Sequence, residues 1–253
     1  MTQKEVPIRS VETTFRMLEA LRRMEGGTVS AVAERLDIPV STAHVHLNTL
    51  RELEYVTQDG DEYTVGLRFL GLGESARSDV RVADAAEPEL EKLATETGEV
   101  AHLMVEEHGW GVHLLSATGE DAVPLDTYAG KRIRLHQTGR GKAILAKLSE
   151  ERRDEIFEAR GLPAATPNTV TDREDLRAEL ETVSERGYAI DEGERIDGLG
   201  CVAAPITDDV GEPVGAISVA GPLGRVGVDR LSGDIAEQVL NTANVIEFNL
   251  NFS

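Results

Sequence analysis

The sequence predicts an α+β fold in two parts, a helical N-terminal part with one β-hairpin and a larger part with a mainly antiparallel sheet. Residues 28–55 hold two short amphipathic helices separated by a break, which indicates a helix-turn-helix. The later segments mix strands and helices without a regular β-α-β repeat, which favours the α+β class. A chain of 253 residues is long enough for two domains, and we place them at 1–75 and 76–253.

The first helix is predicted over residues 9–24. Its apolar residues recur at helical spacing and would form one face, which is Val11, Phe15, Leu18 and Leu21.

The helix-turn-helix follows directly. Residues 29–36 form its first helix, and Asp37-Ile38-Pro39 ends that helix because proline disfavours helical geometry at the residue before it. Ser41 is predicted to cap the second helix, with its hydroxyl accepting a hydrogen bond from the backbone N–H of His44. The outward positions of the second helix are those that a recognition helix presents to a DNA groove, namely Thr42, Val45, His46 and Thr49.

A hairpin and a linking helix complete the first domain. Residues 55–57 and 62–65 alternate like strands and are joined through Asp59-Gly60, a strong signal for a tight hairpin. Three helices and a hairpin make a winged helix-turn-helix. Residues 67–76 are predicted to form a helix that leads to the second domain.

The second domain is predicted to contain both strands and helices. Strands are expected at residues 100–105, 111–115, 132–135, 202–206 and 214–219. Helices are expected at residues 89–97, 141–148 and 172–186. The chain closes with one long helix whose apolar residues run from Leu231 to Leu250.

The formal net charge is −20, from 46 acidic and 26 basic residues. Only five of the basic residues are lysine, and this composition favours a salt-filled cytoplasm, where the Debye length at about 1 M salt is near 3 Å. The alternative is an ordinary acidic bacterial protein. The acidic residues lie mostly in the second domain, whose net charge is −16, whereas the net charge of the first domain is −4. The first domain therefore repels DNA less than the net charge of the whole chain implies.

Several function classes lack their sequence signals. There is no apolar run of about 18 residues to predict a membrane span, and no apolar signal segment near the start. A single cysteine, Cys201, is ordinary for a reducing cytoplasm, where we place the chain. The segment HQTGRGKAI departs from a phosphate-binding loop at two required positions. We therefore expect no cofactor, no metal and no catalytic residues, and we expect His102 and His113 to be satisfied in the core or at the surface.

Four segments resemble the IclR family of transcriptional regulators, in order and spacing. They are RSVETTFRML, STAHVHLNTLRELEYV, RLHQTGRGKAILAKL, and RGYAIDEGERIDGLGCVAAPI followed by GAISVAGP. The resemblance implies an N-terminal winged helix that binds operator DNA and dimerises. It also implies a C-terminal GAF-like domain that binds a small organic acid or an aromatic metabolite.

The resemblance places Val45 where the family usually has Arg, and Glu54 where it usually has Gly. Val45 therefore has two interpretations, a base contact or a hydrophobic staple with Val40. Phosphate contacts, or alternatively solvated surface charges, are expected at Arg9, Arg51 and Arg68. The predicted DNA-binding set is Arg9, Ser41, Thr42, Val45, His46, Thr49, Arg51 and Arg68.

The resemblance also implies an effector site. Its positions are Gly139, Arg140, Asp191, Cys201 and Ser218. Independently, glycines that open a helix expose backbone N–H groups, and a helix N-terminus favours a carboxylate. Arg140 stands where the family has a small residue, so it would bind an anion, fill the pocket or turn to solvent. The alternative for Cys201 is a small core residue.

The leading hypothesis is a regulator whose binding to double-stranded operator DNA responds to a small, anionic metabolite. It is expected to form a homodimer through the first domain, with a dimer of dimers as a further option. The alternative is a small-molecule-binding or enzymatic α+β protein whose helix-turn-helix serves assembly only.

Overall fold

The computed structural model describes residues 6–252, with the backbone alone for Phe252. The chain divides into two compact units, Met1–Ala76 and Arg77–Ser253.

The first unit is built from helices and a small antiparallel sheet. Its elements are α1 (Arg9–Met24), β1 (Gly27–Thr28), α2 (Val29–Leu36), α3 (Val40–Glu52), β2 (Val56–Asp59) and β3 (Glu62–Val65). The strand order is β1-β3-β2. Asp59 pairs with Glu62 across the turn, and Gly60 there has a φ of 60°, which a glycine adopts without strain. The predicted winged helix-turn-helix is confirmed, including the first helix and the hairpin.

The core of this unit lies between α1, α2, α3 and the hairpin. Met17, Leu21, Val32 and Leu47 are all at most 1% exposed. The predicted bounds of α1 are confirmed, and along its apolar face Leu18 and Leu21 are buried while Val11 and Phe15 are exposed.

Helix α3 begins two residues earlier than the sequence suggested. Pro39 is the N-cap, and its carbonyl accepts hydrogen bonds from the backbone N–H groups of Thr42 and Ala43. Ser41 therefore lies inside the first turn, so its predicted capping role is wrong. The hydrophobic staple is also wrong, because Val40 is 54% exposed and Val45 is 62% exposed.

Helix α4 (Arg68–Ser78) continues from the hairpin into the second unit. The further helices are α5 (Arg81–Thr97), α6 (Gly139–Lys147), α7 (Glu150–Arg160), α8 (Arg173–Arg186), α9 (Leu223–Val226), α10 (Val228–Ser232) and α11 (Asp234–Phe252). The further strands are β4 (Val100–Glu107), β5 (Trp110–Thr118), β6 (Arg132–Ile133), β7 (Ala189–Glu192), β8 (Leu199–Thr207) and β9 (Pro213–Pro222).

The six strands form one antiparallel sheet in the order β6-β5-β4-β9-β8-β7. Successive residues of β8 point to opposite faces of the sheet. Val202 and Ala204 lie on one face and join the core formed with α5 and α11. Cys201 and Ala203 face the other side and pack with residues of α6, α7 and α8. The mixed α+β class with a mainly antiparallel sheet is confirmed.

Several elements differ from the sequence predictions, since β7 was not predicted and α5 begins at Arg81 rather than at residue 89. The strand predicted at 132–135 ends at Ile133 and continues as a 3₁₀ turn. The closing helix is interrupted at Gly233, which separates Leu231 on α10 from α11. Helix α7 was not predicted because it buries only the adjacent residues Ile156 and Phe157, which show no helical period.

Candidate functional site

The outer surface of α3 presents small and apolar groups. Ser41, Val45 and Thr49 are exposed, and Thr42 is half-buried. The Thr49 hydroxyl donates a hydrogen bond of 2.8 Å to the Val45 carbonyl, within the helix. This surface offers short side chains and a valine to a groove, with no arginine among them.

His46 is less free than the sequence implied. It is half-buried, and its Nδ1 lies 2.7 Å from the Thr14 hydroxyl on α1. That hydroxyl donates its only hydrogen to the Ser10 carbonyl at 2.9 Å, so Nδ1 of His46 must be the donor to Thr14. A neutral His46 therefore offers Nε2 as an acceptor, which suits the amino groups of cytosine or adenine in the major groove.

The three arginines proposed for phosphate contacts have different surroundings. Arg51 donates to Gln58 on the wing at 2.7 Å and to Glu52 at 2.9 Å. Arg68 donates to the Leu53 carbonyl at 2.7 Å and lies over the Tyr55 ring at 4.9 Å. Within residues 6–252, Arg9 forms no ion pair. Arg51 and Arg68 thus also hold the end of α3 against the wing.

Glu54 follows α3 with a φ of 64°, in the left-handed region that favours glycine. The resemblance had indicated Gly at this position. The carboxylate of Glu54 lies 3.6 Å from Arg68, an exposed ion pair.

The second candidate site lies at the start of α6. Thr138 caps this helix, its hydroxyl accepting from the Gly141 N–H at 3.1 Å. A Cβ added at Gly139 would lie 3.4 Å from the Cys201 sulfur and 3.6 Å from the Asp191 Cβ. The predicted glycine, cysteine and aspartate positions therefore converge where α6 meets β7 and β8.

Gly141 is required by this close approach, because a Cβ there would lie 2.0 Å from the Leu135 carbonyl oxygen. We expect Gly141→Ala to lower the free energy of unfolding of the second unit by about 2–3 kcal/mol through overpacking. Urea denaturation followed by Trp110 fluorescence would measure this. The matched control is Gly224→Ala, whose Cβ meets no atom within 4 Å. Equal stability of the two variants would contradict the assignment.

A cavity of about 40 Å³ opens at this junction. Its lining includes Arg140, Asp191 and Cys201 from the predicted set. Ser218 is fully buried on the same face of the sheet but is not part of the lining, and Ala220 lines the cavity instead. The other lining residues are His102, Leu125, Thr127, Thr138, Arg195, Ile196 and Leu199.

Arg140 points into the interior rather than to solvent. It is 6% exposed, and its Nε and Nη1 atoms are buried without a hydrogen-bond partner. Burial lowers the pKa of the Arg140 guanidinium, and burial also lowers the pKa of Arg195. The cavity lining holds these two cations and one carboxylate, Asp191, an excess of one positive charge, while Asp126 outside the lining also acts on Arg195.

Burial also raises the pKa of the Asp191 carboxyl and raises the pKa of the Cys201 thiol to about 11. Asp191 accepts a hydrogen bond of 2.7 Å from the backbone N–H of Glu194. Cys201 is therefore a neutral thiol near neutral pH, which does not suit a nucleophile.

His102 lines this cavity and His113 lies beside it, and sequence reasoning assigned neither residue a function. The Ser116 hydroxyl bridges His102 Nδ1 at 3.1 Å and His113 Nε2 at 2.9 Å. The outer nitrogens, His102 Nε2 and His113 Nδ1, are buried without a partner, so the expectation that both rings are satisfied is wrong. Alternate residues of β4 face the same side of the sheet, and His102 is on the side that faces the cavity. This alternation was the sequence signal that could have assigned His102 to the site.

Lys142 is the other residue that the sequence did not reveal. Its ammonium group is fully buried and donates to Glu179 and Glu194 at 2.5 Å each and to the Ile190 carbonyl at 2.8 Å. The cluster ties α6 and α8 to the segment that carries Asp191.

In residues 6–252, no group of three or more His, Cys, Asp or Glu side chains could hold a metal ion. No helix in that range is long and apolar enough to cross a membrane.

Two family descriptions match the chain. "IclR helix-turn-helix domain" matches residues 10–60, and "Bacterial transcriptional regulator IclR C-terminal" matches residues 75–248. The chain belongs to the IclR family of transcriptional regulators. The family resemblance drawn from the sequence is thereby confirmed, and so is the expected function as a transcription regulator with a DNA-binding helix-turn-helix.

Named relatives agree with this assignment. The chain is 32% identical over 247 residues to a probable HTH-type transcriptional regulator ArcR of Halobacterium salinarum, covering 96% of this chain and 94% of the relative. It is 32% identical over 240 residues to the HTH-type transcriptional repressor AllR of Escherichia coli, covering 94% and 88%. These relatives are named as regulators rather than as enzymes.

Solved structures of the family align with nearly the whole chain. An IclR of Thermotoga maritima aligns with a TM-score of 0.79 at 28% identity, covering 96% of this chain and 98% of its own. An IclR homologue of Microbacterium hydrocarbonoxydans, solved in complex with 4-hydroxybenzoate, aligns with a TM-score of 0.83 at 26% identity, covering 96% and 100%.

Proposed function

We propose that this regulator binds a small organic anion in the cavity at the start of α6, and that the bound anion changes its affinity for operator DNA. The observation that carries the proposal is Arg140, a buried guanidinium whose Nε and Nη1 atoms have no hydrogen-bond partner. A buried donor without a partner costs about 1–3 kcal/mol, which a carboxylate bound there would recover. The IclR homologue solved in complex with 4-hydroxybenzoate, a carboxylate, supports an anionic ligand.

The cavity is too small for a metabolite to enter without a local rearrangement. A volume of about 40 Å³ holds roughly one water molecule. A metabolite of several heavy atoms therefore needs Arg140, or the segment holding Arg195 and Leu199, to move. Binding would thus be coupled to a rearrangement at the start of α6, and that rearrangement is how we expect the ligand to change DNA affinity.

The ligand proposal is tested by a thermal-shift screen against organic acids. A ligand at about 100 times its Kd adds about 2.7 kcal/mol of stability. For an acid that binds, Arg140→Ala should weaken binding about 30-fold or more, because a buried charge-assisted pair is truncated. Operator affinity without the acid should not change. Calorimetry would give the Kd, with the exposed residue Arg173, changed to Ala, as the control. A full response in Arg140→Ala would place the acid elsewhere, and no shift from any acid would contradict the proposal.

For DNA contact, we propose that α3 enters the major groove with Thr42, Val45, His46 and Thr49 facing the bases. Arg9, Arg51 and Arg68 would contact phosphates, with Ser41 at the entry of the helix. The exposure of Val45 supports a base contact, such as one with a thymine methyl group. The tip of the hairpin, Asp59-Gly60-Asp61-Glu62, is acidic and would not bind DNA phosphates. Specific binding therefore depends on shape and hydrogen bonds.

We also propose that the chain forms a homodimer through its first unit, with a further association of dimers as a second level. The support is an exposed apolar set on α1 and around α4, larger than scattered single residues. Its members, each at least 47% exposed, are Ile8, Val11, Phe15, Leu67, Leu70 and Leu72. A two-fold axis between the copies would match a palindromic operator.

Phe15 is 60% exposed at the centre of the α1 part of this set. Phe15→Glu is expected to shift the protein toward monomer and to lower operator affinity at least tenfold, because each half-site would be bound alone. Light scattering during gel filtration gives the mass of each variant. Val210→Glu, at a position 77% exposed in the second unit, is the control. An unchanged dimer in Phe15→Glu would contradict this interface.

A further inference from the structure

Trp110, the only tryptophan of the chain, is surrounded by three arginines. The guanidinium carbons lie 5.5 Å from the ring centroid for Arg132, 5.3 Å for Arg134 and 4.9 Å for Arg160. We call these four residues the Trp110 cluster. None of them lines the cavity at α6.

The fold explains why these side chains meet. Trp110 begins β5, and β6 pairs beside it at the edge of the sheet. Arg132 and Arg134 flank the buried Ile133, so alternation along the extended chain sends both side chains to the same side. Arg160 arrives from the last residue of α7.

Two of the three guanidinium groups are held by backbone carbonyls. Arg160 donates from Nε at 3.1 Å and from Nη2 at 2.5 Å to the His108 carbonyl. Arg134 donates from Nε to the Arg160 carbonyl at 3.2 Å. Neutral carbonyls fix the geometry without cancelling the charge, and within residues 6–252 the terminal N–H groups of Arg132 and Arg134 form no hydrogen bond, so they can meet a ligand. An ordered cluster of this kind binds an anion with little loss of side-chain entropy.

The cluster lacks the counter-charge that other arginines of this acidic unit have. Arg152, Arg177 and Arg225 each lie within 3 Å of a carboxylate oxygen. Across the part of the chain that the structure describes, no carboxylate oxygen lies within 4.0 Å of Arg132, Arg134 or Arg160. Three uncompensated cations at one place, in a domain of net charge −16, form a local positive surface.

We propose that the Trp110 cluster binds a small anion that carries two or more carboxylate or phosphate groups. Planar guanidinium forks pair bidentately with both groups. Arg132 and Arg134 are two residues apart in extended chain, about 7 Å, so they can engage two separate anionic groups. A stacked base is disfavoured because guanidinium groups already cover the ring. A long polyanion such as DNA would also meet the repulsion of the surrounding acidic surface.

Trp110 makes the test direct, since its fluorescence reports on the site alone. We expect citrate or pyrophosphate, titrated at fixed ionic strength, to change this fluorescence saturably, whereas chloride does not. Arg132→Gln/Arg134→Gln should weaken the binding about tenfold or more, and Arg132→Lys/Arg134→Lys by less, because charge remains while the fork is lost. Calorimetry on the same samples gives the Kd without relying on the fluorophore.

The matched control is Arg173→Gln/Arg230→Gln, which removes two exposed arginines elsewhere on this unit and should leave the Kd unchanged. Arg140→Ala should also keep the response, since loss of it there would place the anion in the α6 cavity. The proposal is overturned if neither anion saturates the signal, or if Arg132→Gln/Arg134→Gln binds as tightly as the control variant and the parent. It is also overturned if only an oligoglutamate peptide or a DNA duplex binds.

Discussion

Replacing Lys142 with Met is expected to lower the free energy of unfolding of the second unit by about 3–5 kcal/mol. The Lys142 ammonium is fully buried between the carboxylates of Glu179 and Glu194, and all three of its N–H groups are used. The substitution removes the cation and leaves two carboxylates facing each other across an apolar side chain. Glu194 is itself 7% exposed, so water cannot readily replace the lost partner.

Urea denaturation monitored by Trp110 fluorescence measures this loss in the full chain. Lys147→Met on the same helix is the matched control, expected within about 0.5 kcal/mol of the parent because Lys147 is half-buried and forms no ion pair in residues 6–252. Adding Glu179→Gln and Glu194→Gln to Lys142→Met should restore part of the stability, since both uncompensated charges are removed. A loss in Lys142→Met no larger than in Lys147→Met would show that the buried pair has no such role.

The same cluster bears on the proposed effector site. Lys142 lies three residues after Gly139 on α6, and the Glu194 N–H donates to Asp191 at 2.7 Å. The ion pairs therefore fix both the helix start and the acidic wall of the cavity. We infer that the cluster keeps the site preformed on one side, so that motion on ligand entry is left to Arg140 and to residues 195–199.

The sequence predicted the fold where local chemistry is decisive. Asp59-Gly60 specified the hairpin, and apolar spacing specified α1, α2 and α3, because turn geometry and one buried face act within a few residues. The prediction from the sequence was wrong where two local signals compete. Ser41 is a good capping residue, but Pro39 has a fixed φ of −59° that already starts the helix, so the serine falls in the first turn.

The candidate sites were less accessible to sequence reasoning. The convergence of Gly139, Asp191 and Cys201 followed from the family resemblance, and the structure brings these three together. The burial of Arg140 and Lys142 could not be read from the sequence, because long charged side chains are mostly exposed and only the packing of α6 on β8 encloses them. His102 was visible as one residue of an alternating strand, but its partner Ser116 lies on the neighbouring strand β5, and the register that pairs them was not predicted.

His102 and His113 lead to the second large effect, a dependence of stability on acid. Burial lowers the pKa of His113 to about 3 and the pKa of His102 well below its ordinary value, and the nearby Arg140 contributes to both shifts. As pH falls through about 6.5, the unfolded chain takes up protons on both imidazoles while the folded chain does not. His113, whose folded pKa is about 3, therefore costs about 1.4 kcal/mol of stability per pH unit between about pH 6.5 and pH 4.5, and His102 acts in the same direction.

Glu194 acts in the opposite direction. Burial raises its pKa to about 7, so the folded chain binds a proton that the unfolded chain releases, and this contribution to stability is lost as pH rises from about 4.5 to 7. The free energy of unfolding of the parent protein therefore changes less with pH than the two histidines alone would cause. A variant that removes only the histidines isolates their contribution.

The informative variant is His102→Asn/His113→Gln, because each amide nitrogen or oxygen can occupy the position of the ring nitrogen that contacts Ser116. Its free energy of unfolding, measured in urea between pH 6.5 and 4.5, should fall more slowly with acid than that of the parent, by at least about 1.4 kcal/mol per pH unit, the contribution of His113. His108→Gln, an exposed position at the β4–β5 turn, should keep the parent slope. Parallel slopes in the double variant and the parent would mean that both imidazoles accept protons in the folded state. In that case the cavity beside Arg140 would have to tolerate a third positive charge, and the preference for an anion at this site would be stronger in acid than at neutral pH.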